Sequence, residues 1–279
     1  MQSTEIDGLH AWFASPAGRY LLDWEQACLA SAFDGIFGYH GVQLGLGALD
    51  GLAASRVRRN WLAAGSYDLP WPIDGIAARS PVLVTDFTAL PFASGSMDMV
   101  LMPHTLDLAA DPHAALREAE RVLVPDGKLL IFGLNPTSFW GVHQRRSQLL
   151  RGVGLGSEFL PDAMQGIGYR RLRDWLRLLS FEVESSQFGC FRPAVRSQRW
   201  LDRFGWLDSV GARWWPIFGA AHFLMATKRV AGMRLIAPAW KIRQPRKEAA
   251  GVPVAGRDNV ARRGPAPVPE PRPSSFPDS

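Results

Sequence analysis

The sequence predicts an α/β protein built on a parallel sheet, and three observations carry that reading. Short, unbroken apolar runs recur, among them VLV at 82–84, MVLM at 99–102 and LLIF at 129–132. Runs without polar alternation belong to strands covered on both faces. Helical patterns or crossovers lie between them, and Pro- and Gly-rich clusters such as PDG at 125–127 punctuate the junctions.

The elements follow in order. Residues 15–33 read as a helix: Ser15 suits the N-cap, Pro16 the first helical position, and Leu21, Leu22, Trp24, Cys28, Leu29 and Phe33 form its apolar stripe. Residues 41–45 (GVQLG) are a short buried strand. A helix is expected to begin in 48–57, and 59–65 is a second strand. Pro and Gly make 68–81 a loop. Residues 82–87 and 97–106 are strands. In 111–123, Asp111 caps a helix whose Ala115, Leu116, Ala119, Val122 and Leu123 share a face. A buried strand follows at 128–135. Beyond Asn135, Gly, Arg and aromatic residues fill 136–168. A helix at 169–180, a strand at 181–189 and a last strand at 220–230 complete the pattern. Between them, 196–207 places Trp200, Leu201, Phe204 and Leu207 on one helical face. Packing against the sheet is the favoured reading of that face, with peripheral membrane contact as the lesser one.

Composition narrows the function. The chain has 279 residues, 47% of them hydrophobic, enough for one large domain with additions. Its formal net charge is +5, but 241–279 holds 8 Lys and Arg against 4 Asp and Glu, leaving 23 against 22 in 1–240. The basic balance belongs to a Pro-rich tail expected to be disordered, so charge does not point to nucleic acid. Cys28 and Cys190 offer neither a disulfide framework nor metal-ligand spacing. No secretory signal and no span of membrane-crossing length stand out, so a cytoplasmic location is expected. The expected division is an N-terminal helical cap (1–37), a main domain (38–240) with a lid at 137–168, and the tail (241–279).

One block is specific. Over 82–136, a strand ends in Asp86, Leu90-Pro91-Phe92 follows, and Ser96-Met97-Asp98 opens the next strand. Asp111-Pro112 then starts a helix that ends RVLVPDGKLLI. This order resembles the class I S-adenosylmethionine-dependent methyltransferases that act on small molecules. The likeness extends more weakly over 38–230 and is nearest a bacterial subgroup with an eroded glycine loop. It implies a seven-stranded, mostly parallel sheet in the order 3-2-1-4-5-7-6, with helices on both faces and the last two strands forming an antiparallel hairpin. It implies S-adenosylmethionine as cofactor and a small-molecule acceptor, without nucleic acid or metal. On this resemblance Gly45 and Gly47 take the first two positions of the cofactor loop, Asp86 accepts a bond from the adenine amino group, and Phe87, Leu90 and Pro103 line the same site. His104, at the carboxyl edge of the sheet, is both a cofactor-contact candidate and the candidate general base. Asn135 and Pro136 shape the acceptor's mouth, and Arg145, Arg146 and Arg151 offer positive charge beside it.

The chain departs from the family pattern at three places. Gln43 replaces an acid, Leu49 replaces the third glycine, and no acid ends the second strand, Asp68 falling several residues late. These departures keep a rival open: a methyltransferase-like binding or regulatory protein without activity. A dinucleotide oxidoreductase fits worse, because Asp50 stands where the last glycine of G-x-G-x-x-G would fall.

Overall fold

The computed structural model describes residues 2–65, 81–151, 159–161 and 164–230. Most of the expected 68–81 loop, Asp68, parts of the expected lid and the whole 241–279 tail lie outside the described residues.

Seven strands form one sheet in the order β3-β2-β1-β4-β5-β7-β6, as expected. β1 (Phe37–Leu44), β2 (Arg56–Ala64), β3 (Val82–Val84), β4 (Met97–Pro103) and β5 (Leu123–Leu134) are parallel. β7 (Ala221–Lys228) runs antiparallel to both β5 and β6 (Phe181–Gly189). The run Leu129 to Phe132 pairs with β4 and β7, and it lacks polar alternation because both its faces are covered, Leu130 and Phe132 in one core and Leu129 and Ile131 in the other.

Helices cover both faces. α1 (Gln2–Ala14) and α2 (Pro16–Ala32) lay Leu9, Phe13, Leu21 and Leu29 into a core with Leu101, Leu130, Phe132 and Phe223. Ser15 caps α2 by accepting from the Gly18 N–H, with Pro16 at its first turn. Trp24 meets Phe132 edge-on at 6.1 Å. A Cβ at residue 189 would come within 2.1 Å of the Trp24 ring, so the end of β6 needs glycine there. On the opposite face, after a single-turn α3 (Thr105–Leu108), α4 (Pro112–Val122) and later α6 (Tyr169–Leu178) bury Ala115, Leu116, Ala119, Leu172 and Leu176 against Val42, Leu44, Val100 and Ile131. α5 (Phe139–Arg151) follows β5, while α7 (Gln198–Arg203) and α8 (Trp206–Trp214) lie between β6 and β7.

α1 places a helix ahead of α2 within the expected N-terminal cap. Three local expectations are corrected. The strand expected over 97–106 ends at Pro103, where the chain turns left-handed at His104 into α3. The 196–207 segment is two helices broken at Phe204–Gly205, with Leu201 buried but Trp200 52% exposed. The third correction bears on function: no helix begins in 48–57. The chain passes from β1 to β2 through turns, and Leu46, Leu49 and Leu52 join the core of α1 and α2. The N-terminal helices therefore cover the face that a β1–β2 crossover helix would otherwise take.

Candidate functional site

The carboxyl ends of the parallel strands surround a cleft of about 520 Å³, the place where open α/β sheets take ligands. Gly45 and Leu46 enter it from β1, Gly65 from β2, Val84 to Thr88 from β3, and Pro103 and Thr105 from β4. Leu108 to Asp111 and Ala115 close the far wall. The volume falls within the range of about 300–1,000 Å³ usual for small-molecule sites.

Of the residues expected here, Gly45, Asp86, Phe87 and Pro103 line the cleft; Gly47, Leu90 and His104 do not. Gly45 adopts φ 79°, a left-handed conformation that glycine takes without strain, and its N–H is bonded to the Ala63 carbonyl at 2.8 Å. Asp86 is an exposed carboxylate of the site. Its Oδ1 accepts from the Thr88 N–H at 2.8 Å and from the Thr88 hydroxyl at 2.9 Å. Those bonds hold its pKa below the ordinary value, backbone donor first, and Oδ2 faces solvent with no bond among the described residues. Leu90 is core instead. Its N–H donates to Glu118 and its carbonyl accepts from Arg121, whose guanidinium also holds the Phe92 carbonyl. Leu90 therefore anchors the loop after β3.

Gln43 is buried, and its side chain is the centre of the β1 loop. Nε2 donates to the carbonyls of Gly45 (3.1 Å), Leu46 (3.1 Å) and Leu49 (2.8 Å), while Oε1 accepts from the Gly51 N–H at 3.1 Å. A Cβ on Gly51 would meet Leu101 at 2.4 Å and Gln43 at 2.8 Å. The loop is thus wound around an amide that both donates and accepts. Leu49 points away from the cleft, fully buried. Trimming Leu49→Gly therefore opens a core cavity rather than room for a ligand. We expect a loss of about 2–5 kcal/mol in urea unfolding, with no gain in ligand affinity in the same preparation.

His104 is placed by a left-handed turn (φ 53°) whose N–H donates to the Phe132 carbonyl. The turn sends its ring away from the cleft, beneath α2. There Nε2 lies 2.6 Å from Glu25 Oε1 and Nδ1 lies 2.9 Å from Asp107 Oδ2, all three side chains at 0–1% exposure. Burial alone would lower the His104 pKa, but Glu25 and Asp107 override it and push it up to about 10. The imidazolium donates to both carboxylates, so the ring has no nitrogen left to take a substrate proton. Asp107 Oδ2 also accepts from the Leu134 N–H at 2.8 Å, and the Thr105 hydroxyl donates to the Leu44 carbonyl. The triad therefore fastens α2, α3 and the ends of β1 and β5 into one frame behind the cleft. His222 stands beside this frame with no bond to either nitrogen among the described residues. Burial first, then the His104 charge, lower its pKa to about 4 against the opposing pull of Asp107.

A second cavity of about 330 Å³ opens at the end of β5, lined by Leu134, Asn135, Pro136, Gln144, Arg145 and Gln165 among others. The Gln165 N–H donates to the Asp107 carbonyl at 2.8 Å, so this segment and α3 form the wall between the two spaces. Asn135 donates its amide N–H groups to the Ile217 and Gly219 carbonyls, and its Oδ1 accepts from the Thr137 N–H and hydroxyl, so it shapes the mouth but is not available to a ligand. Sequence reasoning took Asp111 for a helix cap alone. It is that, accepting from the Ala114 N–H at 2.9 Å, and it is also an exposed acid on the cleft wall. An acid–proline pair at the carboxyl edge of the sheet was the available signal.

Residues 67–131 match a family described as "Methyltransferase domain". A curated relative, "Uncharacterized protein YafS" of Escherichia coli, is 44% identical over 108 residues, which cover 38% of this chain and 42% of that protein. The chain thus spans less than half the length of that relative. Among solved structures, the methyltransferase in a complex with the Trm112 methyltransferase activator of Haloferax volcanii superposes with a TM-score of 0.56 at 19% identity, over 81% of this chain and 98% of that one. An S-adenosylmethionine-dependent methyltransferase of Thermotoga maritima gives a TM-score of 0.54 at 19% identity, over 80% and 96%. At these identities the superpositions speak for the fold. Among the described residues no helix is long and apolar enough to cross a membrane, and no cluster of His, Cys, Asp and Glu could hold a metal ion.

Proposed function

We propose that this chain, a class I S-adenosylmethionine-dependent methyltransferase by its matched domain and its fold, binds that cofactor in the 520 Å³ cleft and methylates a small-molecule acceptor. The observation that carries the proposal is the cleft itself: an ionised Asp86 beside Phe87, facing a left-handed Gly45 across the carboxyl ends of β1, β3 and β4. The residues suit the group on the adenine side, where Asp86 would accept from the amino group and Phe87 would pack beside the ring. When bound, the cofactor supplies a methyl group activated on a sulfonium.

The chain's own part is to position and to exclude water. Thr105 and Pro103 fix the floor, and Leu46, Leu108 and Ala110 give the cleft apolar walls. The second cavity, sharing a wall with the first, is the natural acceptor space. Proton removal has little support, because His104 is spoken for and Asp86, held below the ordinary carboxylate value by its bonds from Thr88, is a weak base. This favours an acceptor whose lone pair is already free near neutral pH, such as a carboxylate.

One observation favours the rival reading, a binding protein without transfer. The β1 loop leads into no helix, so no helix N-terminus faces the methionine end of the cofactor. Calorimetric titration with S-adenosylmethionine and its demethylated product separates the two. We expect binding of about tens of micromolar, near −6 kcal/mol, and a loss of about ten- to a hundredfold for Asp86→Ala. No binding at millimolar cofactor sinks the enzyme reading, while Asp86→Ala binding as well as wild type moves the adenine pocket elsewhere.

A further inference from the structure

Residues 212–218 (ARWWPIF) are all exposed, and they include Trp214 at 69% and Trp215 at 57%. The Phe218 ring lies 6.3 Å from that of Phe139, the first residue of α5, itself exposed, and Val142 continues the same stripe one turn on. This ridge is not a loose end. The two bonds from Asn135 to the Ile217 and Gly219 carbonyls fasten it to the tip of β5, at the mouth of the second cavity. Soluble monomers seldom leave so much contiguous aromatic surface uncovered. The charge within these two segments has one sign: neither 139–151 nor 209–219 contains an acidic residue, while Arg145, Arg146 and Arg213 lie within them.

We propose that this ridge docks on an anionic phospholipid surface, with Trp214, Trp215, Ile217 and Phe218 at the level of the headgroups and the neighbouring arginines over lipid phosphates. Tryptophan suits that depth, being apolar in body with one N–H to hydrate. The charge decides for lipid over a second copy of the chain: two such ridges face to face would oppose arginine to arginine, whereas an anionic bilayer complements every charge on the ridge. Attachment would be from one side, as expected of a surface whose apolar part is a short ridge. The inference does not depend on methyl transfer.

Full-length protein sedimented with phosphatidylglycerol–phosphatidylcholine vesicles tests it. Wild type is expected to bind these vesicles and not pure phosphatidylcholine, and to release as salt rises. W214S/W215S, with both side chains exposed, should keep the wild-type melting curve and lose about tenfold or more in vesicle affinity. R145Q/R146Q should lose about fivefold per charge. Equal sedimentation of wild type with both kinds of vesicle, or of wild type and W214S/W215S, overturns the proposal. So does a wild-type dimer in light scattering that W214S/W215S converts to a monomer without any vesicle binding, since the ridge is then an interface between copies.

Discussion

Glu25→Ala lowers the unfolding free energy by about 3–5 kcal/mol, the usual cost of removing one partner from a buried ion pair. The variant leaves a His104 imidazolium at 0% exposure with only Asp107 to answer it. The pH dependence makes the result specific. His104 holds its proton more tightly in the fold, at about 10 against 6.5, so its stabilising contribution is complete below pH 6.5 and is lost as pH rises to about 10. His222 moves the other way, to about 4. It is held neutral in the fold, so it opposes folding as pH falls from 6.5 toward 4. From these two groups, stability is greatest near pH 6.5 and declines on both sides. Glu25→Gln keeps an acceptor for the His104 N–H but removes the charge, and should flatten the alkaline limb while sparing the acid one. Urea unfolding from pH 5 to 10 measures both limbs. An alkaline limb unchanged in Glu25→Gln would mean that the histidine is neutral and the pairing assigned to it is wrong.

Gln43→Glu, which restores the acid that the resemblance expects, is destabilising by about 3 kcal/mol or more and costs ligand binding as well. A carboxylate has no N–H to give, so the carbonyls of Gly45, Leu46 and Leu49 would face a buried negative charge. Gln43→Met, which removes the bonds without adding charge, should cost less. Equilibrium unfolding of the three proteins gives the ranking. If Gln43→Glu proves as stable as wild type, the loop can rewind into a form in which an acid has donors, and the wound loop described above is not the one the chain must keep.

Much of the fold was legible because its signals are local. The apolar runs of β4 and β5, the cap at Asp111 and the Ser15-Pro16 start of α2 each declare themselves within a few residues. The strand order came with the resemblance over 82–136, and the part of the cleft contributed by that block, Asp86, Phe87 and Pro103, was legible with it. What was not legible depends on partners distant in sequence. His104 looked like a base because its position at the edge of the sheet is right, but its ring is turned by a left-handed backbone toward Glu25, 79 residues earlier. Leu49 looked like a damaged glycine because the loop was assumed to lead into a helix. The buried amide of Gln43 winds that loop inward, and nothing in the local pattern says which way a leucine in a turn will face.

The placement of α1 and α2 over the sheet carries a consequence for how the molecule comes to exist. A crossover helix between β1 and β2 would cover its face as soon as its own strands emerged from the ribosome. Here the covering helices are made first and wait, apolar stripe outward, until β4, β5 and β7 have been synthesised and can receive Phe13, Leu21 and Trp24. Closure of that core is among the last events of folding, and it joins segments far apart along the chain, which is slow. The newborn protein is therefore expected to pass through a sticky, half-covered stage, and its yield on expression should rise at lower temperature or with added chaperones.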